Sequence, residues 1–155
     1  YEEIFTGAKD FKRNISGVSN GPIWGNIMNI YINFARIEEL FENVVQKVRD
    51  NFGVTVINSG YRGPALNEAV GGSSKSQHCK GEAVDIECPG TGNYDVAKWI
   101  EENLDFDQLI LEFYTPGIPD SGWVHVSYKT EGNRKSVLTA MKENGKTVYK
   151  PGLIQ

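Results

Sequence analysis

Two histidines stand in the whole chain, and each occupies a stretch that could carry metal chemistry. His78 lies in "SQHCKGEAVD", residues 76 to 85, seven positions before Asp85, and His125 lies in "WVHVS". A catalytic zinc takes three protein ligands and keeps one position open for water. Two imidazoles and one carboxylate suit it, and a nearby carboxylate can then take the proton of that water. The plainer reading is an exposed loop histidine beside a surface aspartate, since short polar stretches of this composition are usually solvated.

Strand alternation separates the two readings. Side chains along a strand point to opposite faces in turn. In "AVDIE", Asp85 shares a face with Ala83 and Glu87, and Val84 pairs with Ile86 on the other. In "WVHVS", His125 lies with Trp123 and Ser127, opposite Val124 and Val126. In "QLILE", Glu112 lies with Gln108 and Ile110, opposite Leu109 and Leu111. If the three strands neighbour one another, Asp85, His125 and Glu112 converge on one face. Gly81 lets the loop that carries His78 turn back toward them.

The remaining elements follow from periodicity and breakers. Phe34, Ile37, Leu40, Phe41, Val44, Val45 and Val48 recur at helical spacing over residues 33 to 53, and Gly53 stops the run. "VTVINS" (54 to 59) is a β-branched strand, and Pro64 opens a short helix, "PALNEAV". "YDVAKWIEENL" (94 to 104) is an amphipathic helix. "ENGK" (143 to 146) is a hairpin turn between "VLTAMK" and "TVYK". "NISGVSNGPIWGN", near the start, has the Gly, Asn and Ser content of a loop or arm. The fold expected is α+β: a mainly antiparallel sheet with helices packed on one face and the zinc site on the other. One domain spans 1–155, with an arm at 1–32, a core at 33–128 and a C-terminal hairpin at 129–155.

Composition excludes some partners. Net charge is −4 with the basic residues scattered, which argues against binding a nucleic-acid backbone. No apolar run approaches the roughly 20 residues of a membrane span. No signal peptide is visible after Tyr1. Cys79 and Cys88 fit free thiols better than a disulfide, because a domain of this length buries enough core without one.

Taken together, "SGYRGPALNEAVGGSSKSQHCKGEAVDI", "FDQLILEF" and "GWVHVSY" resemble the M15 metallopeptidases. These are the zinc D-Ala-D-Ala peptidases of bacteria and phages, relatives of the hedgehog signalling domain. The signature S-x-H-x6-D falls on Ser76, His78 and Asp85, with Gly81 inside it, and S-G-Y-R falls on Ser59 to Arg62. The likeness covers roughly residues 37 to 128 and is nearest the short branch found in phages, prophages and their hosts. It implies one zinc per chain on His78, Asp85 and His125. It also implies that Arg62 holds a substrate carbonyl or carboxylate, and that Ser76 bonds the substrate beside the metal. Without the resemblance, Arg62 is a turn-closing arginine and Ser76 a loop cap.

Many members of that family carry the general base three residues before the second metal histidine, where this chain has Gly122. Glu112, on the site-facing side of a strand, is the favoured replacement. Asp120, in the loop beside Pro119, is the other. The activity implied is hydrolysis of an amide bond in peptidoglycan stem peptides, by a monomer acting on the bacterial cell wall. Loss of the usual base keeps a second reading open, an inactive zinc-containing binding module of the same fold. A third is a structural zinc with Cys79 as fourth ligand.

Overall fold

The computed structural model describes residues 22–155, with side chains from residue 29. The chain divides after Ala35, and the unit Arg36–Gln155 carries the sheet. Helix α1 (Pro22–Leu40) starts inside the segment expected to be loop. Proline suits a first helical position, because its missing N–H would be unbonded there anyway. The part of that segment before Pro22 lies outside the described residues. A single wide turn, Phe41–Val45, follows, with the Gln46 N–H reaching back five residues to the Phe41 carbonyl. Helix α2 (Gln46–Phe52) then ends at Gly53, whose φ of 82° suits glycine.

Strand β1 (Val56–Ser59) leads to helix α3 (Pro64–Ala69), a 3₁₀ turn at Gln77–Lys80 and strand β2 (Ala83–Glu87). Helix α4 (Asn93–Asn103), β3 (Gln108–Glu112), β4 (Trp123–Ser127), β5 (Ser136–Glu143) and β6 (Lys146–Pro151) complete the chain. The six strands form one sheet in the order β1-β2-β4-β3-β5-β6. Every neighbouring pair is antiparallel except β3–β5, which is parallel. The sheet is thus mixed, mostly antiparallel.

The alternation expected of the three central strands is present. Val84, Ile86, Leu109, Leu111, Val124 and Val126 are all buried, in one cluster with Leu40, Val44, Val45 and Val48 and with Val96, Ala97 and Ile100 of α4. Phe34 and Phe41, placed on the same stripe by spacing, are exposed instead, at 62% and 38%. The buried stripe runs on through the wide turn as Leu40, Val44, Val45 and Val48. The short helix α3 contributes no residue to the cluster.

Candidate metal centre

The register sets the site. In the β2–β4 pair, Asp85 stands directly opposite His125, and in the β3–β4 pair Ile110 stands opposite the same histidine. His78 enters from the 3₁₀ turn, which Gly81 closes in a left-handed conformation. The result is three buried side chains, His78, Asp85 and His125, whose ligand atoms all lie within 4.8 Å of one another.

Their polar atoms meet around one point. His125 Nδ1 is 2.8 Å from Asp85 Oδ1, His78 Nε2 is 3.2 Å from that oxygen, and the two ring nitrogens are 3.2 Å apart. A tetrahedral zinc with bonds of about 2.0–2.1 Å holds neighbouring ligand atoms about 3.3 Å apart. The donor set fits that ion. On its other side His78 Nδ1 lies 2.8 Å from the Gly60 carbonyl. A carbonyl only accepts, so Nδ1 carries a proton, which leaves Nε2 as the ring atom directed at Asp85 and His125 and the one placed to bind a metal. The carbonyl partner is the usual support for a metal-binding imidazole.

Asp85 divides its two oxygens. Oδ1 faces the histidines, and Oδ2 accepts a 2.6 Å bond from Arg62 Nη2. Arg62 Nε is in turn bonded to Ser59 Oγ at 2.7 Å, which fixes the fork of the guanidinium. Burial alone would raise the Asp85 pKa, but hydrogen bonds and charge from His125 and His78 hold it well below the usual carboxylate range.

One cleft of about 1020 Å³ takes in all the residues expected at the site: Arg62, Ser76, His78, Asp85, Glu112 and His125. Ser76 precedes the 3₁₀ turn without making a side-chain cap bond to it, so its hydroxyl is not used as a loop cap. Glu112 is half-buried at the end of β3. Burial pushes its pKa up, helped by the Asp85 charge and opposed by His125, His78 and Arg62. Trp123 lines the cleft with its ring edge on Phe113 at 5.3 Å.

Asp120 is placed elsewhere. It is exposed and does not line the cleft. Its loop is bonded to the start of α4: Asn93 N–H donates to the Pro119 carbonyl, and Asn93 Nδ2 donates to the Ser121 and Gly122 carbonyls. Glu82 is buried away from the cleft with Arg36 3.4 Å from Oε1. Cys79 and Cys88 are free thiols, and neither joins the three-residue cluster.

Gly122 has a structural reason to be glycine. Its φ is +68°, and across the mouth of the β3–β4 hairpin Phe113 is also left-handed, at φ 55°. A Cβ at Gly122 would lie 2.7 Å from the Phe113 carbonyl carbon and 2.8 Å from the Tyr114 nitrogen, with the Glu112 carbonyl oxygen nearer still. No side chain fits there, carboxylate or otherwise, and the close approach that excludes it also fixes the backbone of Glu112.

One network had no signal in the sequence beyond isolated charges. Asp107, fully buried, accepts from Arg134 Nε at 2.8 Å and Nη2 at 2.5 Å, from Lys129 Nζ at 3.0 Å and from Gln77 Nε2 at 3.0 Å. Burial would raise its pKa; these donors outweigh that and hold it well below the usual range. Gln77 adjoins His78, so the network reaches the metal-binding turn.

A comparison with curated proteins returns no match. The family model described as Peptidase M15 matches residues 9–127, a span that includes both histidines, Asp85, Arg62, Ser76 and Glu112. With that match covering most of its length, the chain belongs to the Peptidase M15 family.

Proposed function

We propose that this protein is a zinc-dependent peptidase that hydrolyses an amide bond in peptidoglycan stem peptides. It acts as a carboxypeptidase or endopeptidase of the D-Ala-D-Ala type, working as a monomer on the bacterial cell wall. The observation that carries this reading is the convergence of His78, Asp85 and His125 at the floor of a cleft whose wall holds Glu112. Peptidases of the M15 family are zinc-dependent, and the spacing of the three donor atoms suits that ion.

A zinc ion held by these three residues supplies a water of lowered pKa and a Lewis acid for the amide carbonyl. The rest falls to the chain. Glu112, kept basic enough by its partial burial, accepts a proton from the attacking water and delivers it to the leaving amine nitrogen. Arg62 has two tasks. One N–H of Nη2 holds Asp85 in position, and the N–H groups taken by neither Asp85 nor Ser59 serve the developing oxyanion. Ser76, with its hydroxyl free of the turn, bonds the bound peptide. Trp123 walls the site.

The test is digestion of purified peptidoglycan by the zinc-loaded protein, with products read by mass spectrometry. Release of a residue or a cut stem, abolished by a chelator, is the expected result. Intact muropeptides after prolonged digestion would leave the inactive binding module as the better reading.

A further inference from the structure

The chain has a net charge of −4, but the cleft does not share that sign. Among the described residues, Arg62, Lys75, Lys80, Lys129, Arg134 and Lys142 line it, against two carboxylates, Asp85 and Glu112. Arg62 is engaged by Asp85, and Lys142 is held by Thr147 Oγ1 at 2.8 Å and by the Phe113 ring. Lys129 and Arg134 are different, because both rest on the single buried carboxylate of Asp107. One anion offsets one of two cations. The excess charge is presented to solvent, with the Lys129 side chain 33% exposed and that of Arg134 55% exposed.

Donors remain as well. Arg134 meets Asp107 through Nε and Nη2, which leaves the N–H groups of Nη1 for another acceptor. Lys129 uses one of three ammonium protons on Asp107. Because Asp107 already holds both side chains, an incoming anion does not have to order them, and binding is preorganised. Lys129 follows His125 by four residues along β4 and its extension, where Tyr128 N–H still bonds the Glu82 carbonyl. At about 3.3 Å per residue the separation is about 13 Å. An extended peptide covers that distance in about four residues.

We propose that Lys129 and Arg134 form a subsite for a free carboxylate of the substrate, three or four residues from the scissile amide. Stem peptides carry such carboxylates, and converting one to a carboxamide removes the charge while keeping the shape. The subsite presupposes the peptidase reading given above.

The test uses pairs of synthetic stem peptides that differ only by acid or carboxamide at the third or fourth residue from the scissile bond. Affinities are measured by calorimetry on the zinc-loaded Glu112→Gln protein, whose slowed turnover keeps the peptides largely uncleaved during a titration. The acid form of one pair should bind roughly five- to tenfold tighter, the size of one or two partly exposed charge-assisted contacts. That ratio should fall to about one in Lys129→Gln and in Arg134→Gln. Should Arg134→Gln fail to fold, Lys129→Gln leaves the Arg134–Asp107 fork in place and decides the matter alone. Equal affinity within every pair, or a ratio that survives Lys129→Gln, overturns the subsite. Wild-type cleavage of peptidoglycan alongside either result leaves the peptidase reading standing, whereas no cleavage of any wall peptide removes both.

Discussion

Gly122→Ala should be among the most damaging single-methyl changes in this chain. Left-handed backbone costs an L-residue about 1–2 kcal/mol. The new Cβ would also meet the Phe113 carbonyl carbon at 2.7 Å and the Tyr114 nitrogen at 2.8 Å. Carbon contacts are comfortable at about 3.5–4.0 Å. The atoms it meets are backbone, so relief requires the mouth of the hairpin to open, an overpacking cost of about 1–3 kcal/mol. The sum is about 2–5 kcal/mol, and at about 3 °C per kcal/mol for a chain of this length the Tm falls by roughly 6–15 °C. Thermal unfolding followed by circular dichroism in the presence of chelator measures it without metal masking the loss. A companion experiment asks whether the usual family position can be restored. Gly122→Asp placed in a Glu112→Gln background should remain inactive, because the backbone has no room for the side chain. A Tm within about 2 °C of the parent for Gly122→Ala, or recovered turnover in the double variant, would refute the reasoning.

Three further outcomes are expected. His125→Ala should lose stoichiometric zinc by elemental analysis; full retention removes the residue from the ligand set. Glu112→Gln should keep its zinc while turnover on a stem peptide falls by roughly 10²–10⁴, whereas Asp120→Asn, altered on an exposed loop outside the cleft, should stay near the parent. Reversal of that order would place the base in the loop. Asp107→Asn should destabilise most near neutral pH. The folded pKa of Asp107 is depressed, so its contribution is complete above the unfolded value of about 3.9 and declines as pH falls below it. Urea midpoints of parent and variant should therefore converge in acid, and a gap independent of pH would contradict the linkage.

The faces of the central strands were legible because alternation has a period of two: Asp85, His125 and Glu112 each sit between apolar neighbours, and Ile110 and Trp123 add large apolar side chains to the site-facing side. The order of those strands was not. That β4 lies between β2 and β3, and that β5 runs parallel to β3, follows from long-range packing that no local pattern encodes. The start of α1 at Pro22 was hidden by the Gly, Asn and Ser around it, whose turn signals outweigh a first-position proline. Asp107 was missed for a different reason: in a sequence a buried, fully bonded aspartate has the same letter as a solvated one. Gly122 was visible as a departure, but the cause, a carbonyl pressed against its Cα, exists only in the folded backbone.

The strand order also governs how the molecule is made. β2 and β3 emerge first and never pair with each other; β4, which joins them, comes later. Until residues 123–127 are synthesised, each earlier strand presents an open edge bearing apolar side chains, the condition in which nascent chains associate wrongly. Arrival of β4 covers the facing edges of β2 and β3 and brings His125 opposite Asp85, while the other edge of β3 stays open until β5 follows. The metal-binding triad therefore requires β4 to have paired with β2, and a chain that ends before His125 has neither the joined central strands nor the full set of ligands for the ion.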